Sequence, residues 1–191
     1  MDNDTAAPRF APLDLDKMTP DQRTVADKMI SGPRKGMKGP FNALLRHPEL
    51  CDKVQELGAV VRFKNAIPSA LKEMAIIMTG RHWTASYEFQ AHRRMALEAG
   101  LSAAICDAIA EGQRPAAMGA DETLIFDFVS ELLATGHVGD AAYGKVLAKW
   151  GEKGVIDLTA TVGYYCVASL VLNVALHPLP EGAAPLKPLK R

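Results

Sequence analysis

The stretch from Leu158 to Leu176, LTATVGYYCVASLVLNVAL, carries no charged residue, and it limits the folds open to this chain more than any other segment. An apolar run of that length is either a membrane span or a helix that other protein surfaces must cover. Thr159, Thr161, Gly163, Ser169 and Asn173 interrupt it, and its flanks, Asp157 and His177, lack the aromatic and basic anchors of a span. The sequence therefore argues against a membrane and for a helix buried on all sides, at the domain centre or in a subunit contact. A homo-oligomer is the matching expectation.

The rest of the composition narrows the classes further. With 191 residues the chain has the length of a single domain, spanning 1–191, with an N-terminal arm over 1–18 and a proline-rich tail over 177–191. Lys plus Arg equals Asp plus Glu at 22 each, so no global field recruits nucleic acid. Cys51, Cys106 and Cys166 lie far apart with no CxxC spacing. They suit reduced thiols in a cytoplasm. The opening MDNDTAAPRFAP is acidic and polar, and no secretory signal is readable in it.

Helix signals dominate and strand signals are nearly absent. Thr19-Pro20 is a cap followed by proline at the first helical position, predicting a helix to about Ile30. The segment SGPRKGMKGPFN reads as a loop; its Asn42, Arg34, Lys35 and Lys38 could border a site for an anionic ligand. His47-Pro48 opens a helix through Phe63, and Pro68 opens another from Ser69 to about Met78. Gly80 weakens continuity, and Thr84 is the expected cap of a helix ending near Ala99, before Gly100. Ser102, Asp121 and Asp140 begin three more, and Gly151 and Gly154 lead into the uncharged helix. The tail HPLPEGAAPLKPLKR should lie extended on the surface or on a neighbouring subunit. A loose echo between LKEMAIIMTGRHWTASYEFQAH and VIDLTATVGYYCVASLVLN suggests two related helical hairpins.

Ionisable groups cluster in RHWTASYEFQAH, residues 81–92. Glu88 and His92 are four apart, so on one helix their side chains can meet. A common surface pair has the same spacing, but Trp83, Tyr87, Phe89, Met95 and Leu97 leave little of this helix plainly solvated. A carboxyl and an imidazole in a partly apolar pocket form an acid/base couple with tunable proton affinity. The helix dipole would favour the Glu88 anion and burial its neutral form. Glu73 would lie roughly 22 Å from Glu88 on one straight helix, so it joins them only if the chain turns near Gly80. Arg81 and His82 are candidates for holding a substrate carboxylate, each with an ordinary structural reading beside it. No metal site is expected, since His82, Glu88 and His92 fit no HExxH-type spacing.

The stretch EMAIIMTGRHWTASYEFQAHRRMALEAG resembles the carboxymuconolactone decarboxylase family, which includes the AhpD-like alkylhydroperoxidases; GPFNALLRHPEL and DLTATVGYY are similar to its longer members. The peroxidase pattern is a glutamate, then eleven residues, then CxHCxxxH. Laid on this chain, it puts the glutamate on Glu73 and the last histidine on His92. Ala85 and Glu88 stand where the two thiols would be, and Tyr87 where the middle histidine would be. Thiol-dependent peroxide reduction needs both thiols, so that activity is expected to be absent. The form YEFxxH resembles the decarboxylase branch instead. The resemblance implies an all-α, AhpD-like helical bundle assembled as a trimer or hexamer, with sites near subunit contacts.

It also implies a cofactor-independent lyase acting on a small carboxylated lactone, such as 4-carboxymuconolactone, or a related aromatic ring-cleavage product. His92 would donate a hydrogen bond and carry the proton, with Glu88 as its acid/base partner and Glu73 orienting the imidazole. Tyr87 and Trp83 would shape a water-poor pocket, and Arg81, His82 and Asn42 would border the substrate. The same residues leave open a hydratase, isomerase or lactone hydrolase acting on a similar acid. They also leave open a non-catalytic helical oligomer that binds a small acid or a partner protein.

Overall fold

A computed structural model describes residues 7–189; the first six residues of the arm and the last two of the tail lie outside the described residues. The described chain is all-helical, with no strand among its residues. After a 3-10 turn at Leu15–Lys17 come α1 (Pro20–Ser31), the short α2 (Phe41–Leu44) and α3 (Pro48–Phe63). They are followed by α4 (Ser69–His82), α5 (Ser86–Glu98), α6 (Ala103–Ala110), α7 (Ala120–Thr135) and α8 (Asp140–Ala175).

Local chemistry explains most of these boundaries. Thr19 and Gln22 form a full capping box at the start of α1, with Pro20 at the first position. Proline opens α3 in the same way, where the His47 ring nitrogen accepts from the Leu50 backbone. Gly151 takes φ 68° and breaks α8 into segments 140–150 and 152–175. The 3-10 turn and α2 have no counterpart among the expected helices; Phe41 and Asn42 fall at the end of the expected loop.

The helix buried on all sides is α4, not the uncharged segment of α8. Leu71 through Arg81 are buried without interruption, because α4 packs against α5, α6, α7 and α8. Three charged side chains thus enter the interior, and each meets a different polar group. Lys72 Nζ donates to the Arg62 carbonyl at 2.6 Å, and Arg81 Nη2 to the Lys187 carbonyl at 2.7 Å. Glu73 bonds to His92. Such pairing is what makes buried charge tolerable. By contrast, α8 is long and apolar enough to cross a membrane by length and composition, yet half of its apolar window is buried in the protein. Ile156, Val167, Leu170 and Val174 on it stay exposed.

One further expectation is corrected. The stretch 155–173, matched to the α4–α5 hairpin, is one uninterrupted helix, so the two segments do not fold alike. The tail lies on the surface of its own subunit, one of the two placements expected of it. Leu186 is buried in the main core, Gln90 Nε2 donates to the Ala184 carbonyl at 2.7 Å, and the Ser86 hydroxyl accepts from the Leu186 backbone at 3.0 Å.

Candidate active site

The α4–α5 hairpin brings the ionisable cluster together. Instead of ending near Met78, α4 runs through Gly80 to His82, and the chain reverses over Trp83–Ala85. Thr84 does not cap α5: it sits at φ 49° in the left-handed region, and Ala85 holds the cap position. A left-handed residue cannot adopt the extended backbone of an N-cap. Gly80 allows the two helices to approach, since a Cβ there would lie 3.2 Å from the Phe89 backbone nitrogen.

With the helices so close, Glu73 Oε2 lies 2.6 Å from His92 Nδ1, and Glu88 Oε1 lies 3.1 Å from His92 Nε2. All three residues are buried, at 5, 3 and 6% exposure for Glu73, Glu88 and His92. Burial alone would depress the proton affinity of His92, but hydrogen bonds and charge from the two glutamates raise it above the ordinary histidine value. An imidazolium donating from both nitrogens matches this geometry, because each nitrogen faces a carboxylate. Glu88 lies in the first turn of α5.

A cavity of about 740 Å³ reaches this relay, and Glu88 and His92 line it. Glu73 does not line it and contacts His92 from behind. Tyr165 supports the imidazole edge-on at 4.8 Å, and Tyr164 stands against Tyr165 at 5.1 Å. Burial raises the proton affinity of both phenols, which keeps them neutral donors. Tyr87 also lines the cavity, with Gly39 folded close over its ring. Arg34, Lys38 and Arg62 give the wall positive charge.

Four expected substrate contacts lie elsewhere. Arg81 is buried beneath the tail, His82 packs edge-on against Trp83 at 5.0 Å, and neither lines the cavity. The Trp83 indole donates to Cys166 Sγ at 3.2 Å, and its carbonyl accepts from Asn173. Asn42 holds the N-terminal arm: its Oδ1 accepts from the Leu13 backbone at 2.9 Å, and its Nδ2 donates to the carbonyls of Phe10 and Ala11. Sequence reasoning missed Tyr164, Tyr165 and Arg62. Two adjacent tyrosines in an uncharged helix were a usable signal, since buried phenols need hydroxyl partners.

Among the described residues, no group of three or more His, Cys, Asp or Glu side chains could hold a metal ion. No family model matches the chain, and no curated protein matches it.

Proposed function

We propose that this chain is a cofactor-independent, decarboxylase-like lyase acting on a small carboxylated lactone, of which 4-carboxymuconolactone is the first substrate to test. The observation that carries this reading is the Glu73–His92–Glu88 relay, closed off behind by Glu73 and open to a cationic cavity through Glu88 and His92. In such a lactone the ring carbonyl is conjugated through a double bond to the carbon bearing the carboxylate. When that C–C bond breaks, its electron pair moves through the double bond onto the carbonyl oxygen, and carbon dioxide leaves. The dienolate then takes a proton at carbon, so the enzyme must stabilise an oxyanion and return one proton.

In this reading the carboxylates at both nitrogens keep His92 from donating directly to the substrate. Both nitrogens of His92 are occupied, so Glu88 is the terminal acid/base group, His92 relays the proton and Glu73 holds the ring. Tyr164 or the cationic wall supplies positive potential to the oxyanion. The likeness of residues 73–100 to the decarboxylase family supports the same chemistry. The seam Ile156, Ala160, Gly163, Val167, Leu170 and Val174, exposed except for the half-buried Ala160, recurs at alternating steps of four and three, which suits helix pairing in a homo-oligomer.

The test is carbon dioxide release and ultraviolet change with 4-carboxymuconolactone, read beside the oligomeric mass from light scattering. Turnover that falls by about a hundredfold or more in both His92→Ala and Glu88→Gln is expected. Absence of turnover in a folded wild-type protein would end the decarboxylase reading.

A further inference from the structure

The cavity that serves the relay also contains a cation fixed in place by its surroundings. Arg34 Nη2 donates to the Tyr164 hydroxyl at 3.2 Å and to the Gln55 carbonyl at 3.4 Å, while the guanidinium carbon lies 4.6 Å from the centre of the Phe41 ring. Gly58 on α3 makes this arrangement possible. A Cβ there would come within 2.2 Å of both Arg34 Nη2 and the Tyr164 hydroxyl. Arg34 Nε is buried with no hydrogen-bond partner.

The neighbouring cations differ in what they hold. Arg93 is committed to Asp107 at 2.7 Å and Arg94 to Glu98 at 3.9 Å. Lys38 is exposed, and Arg62 rests on Phe63 at 5.3 Å and touches Met95 Sδ. Arg34 is therefore the cavity cation whose guanidinium is held in one orientation by its neighbours. A planar fork of this kind suits a carboxylate better than a mobile ammonium does. Two aromatic rings, Tyr164 and Tyr165, separate it from His92.

We propose that Arg34, held by Tyr164 and Phe41 across the missing side chain of Gly58, is the anion anchor of this cavity. It selects ligands bearing a carboxylate on an arm separate from the group that meets Glu88. The proposal rests on Glu88 and His92 being the reacting end of the site, and it names a specificity residue that acts before any chemistry. The arm would lie along Tyr164 and Tyr165, whose rings exclude water from its methylene groups.

Titration calorimetry with hexanoate and hexanamide, equal in chain length and different by one negative charge, tests it without requiring turnover. Wild type should bind hexanoate about tenfold or more tighter than hexanamide, the scale of one charge-assisted fork. Arg34→Gln should bring hexanoate to within about threefold of hexanamide, whereas Arg62→Gln should leave most of the preference. Gly58→Ala, which adds a methyl group that pushes on Arg34 and Tyr164, should erode the preference too and provides a second variant if Arg34→Gln fails to fold. Equal binding of the acid and the amide by wild type, a preference that survives Arg34→Gln, or an equal loss in Arg62→Gln would overturn the anchor. Arg34-dependent hexanoate binding without lactone turnover would leave the anchor and remove the decarboxylase. Lactone turnover with a KM indifferent to Arg34→Gln would do the reverse.

Discussion

Glu73 Oε2 meets His92 Nδ1 at 2.6 Å although 19 residues separate them in sequence. This contact joins the central buried helix to the wall of the cavity and leaves His92 Nε2 facing Glu88. A buried carboxylate in that position fixes the ring and raises its proton affinity together.

Replacing Glu73 with Gln keeps the shape and removes one charge. Its direct consequence is a lower folded-state pKa for His92, measurable by NMR titration of the ring. Because the native pKa is raised, protonation of His92 stabilises the fold. That contribution is complete below the unfolded value of about 6.5 and is lost as pH climbs through the raised folded value. The variant should lose it earlier, so its Tm should depend less steeply on pH from about 6.5 up to the raised folded value. Turnover should fall by about 10- to 100-fold through misorientation of the ring. Identical pH dependence in the two proteins would mean that Glu73 does not hold the proton on His92.

Gly80 tests whether the hairpin approach sets this geometry. Alanine there gains about 1 kcal/mol of helix propensity. It also forces a methyl group to 3.2 Å from the Phe89 nitrogen, a backbone atom that cannot swing aside. Overpacking of this kind costs about 1–3 kcal/mol, so Gly80→Ala should be less stable by about 1 kcal/mol in urea unfolding. A gain in stability would show that the two helices can separate freely at this crossing.

Arg81 separates a structural cation from a substrate clamp. Its Nε and Nη1 are buried without partners, and burial depresses its proton affinity. A buried charge held by one hydrogen bond, here from Nη2 to the Lys187 carbonyl, gains little over an apolar side chain of similar volume. Arg81→Met should therefore keep or raise Tm and leave KM for any acid unchanged. A KM raised by about tenfold would return Arg81 to the substrate.

How much of this was legible beforehand depended on range. Thr19-Pro20, His47-Pro48 and Gly151 are local signals, and the structure uses them where the sequence puts them. The Glu88–His92 pair follows from one helical turn. Glu73 was named only conditionally, because its arrival depends on where the chain reverses and on the close approach at Gly80. Hydrophobicity misled about the centre of the fold. The uncharged helix has an exposed face, while α4 is buried despite Lys72, Glu73 and Arg81, since each of those charges meets a partner that no local pattern reveals. Arg81 and His82 looked like site residues by proximity in sequence, but the reversal at Trp83–Ala85 points them away from the cavity.

The three thiols supply the last test, because the peroxidase pattern would need a pair of them near His92. Ala85 and Glu88 occupy those positions, and the cysteines present are poorly suited to replace them. Burial pushes the Cys51 thiol up to about 12 and raises Cys106 as well, so both stay protonated near neutral pH. Cys166 accepts a hydrogen bond from the Trp83 indole. Replacing all three with alanine should cost stability, about 1 kcal/mol for each fully buried site, and leave lactone turnover within about twofold of wild type. Peroxide consumption should be equally low in both proteins. Peroxide turnover that disappears with the cysteines would instead restore thiol chemistry to this fold and displace the Glu73–His92–Glu88 relay as the seat of its activity.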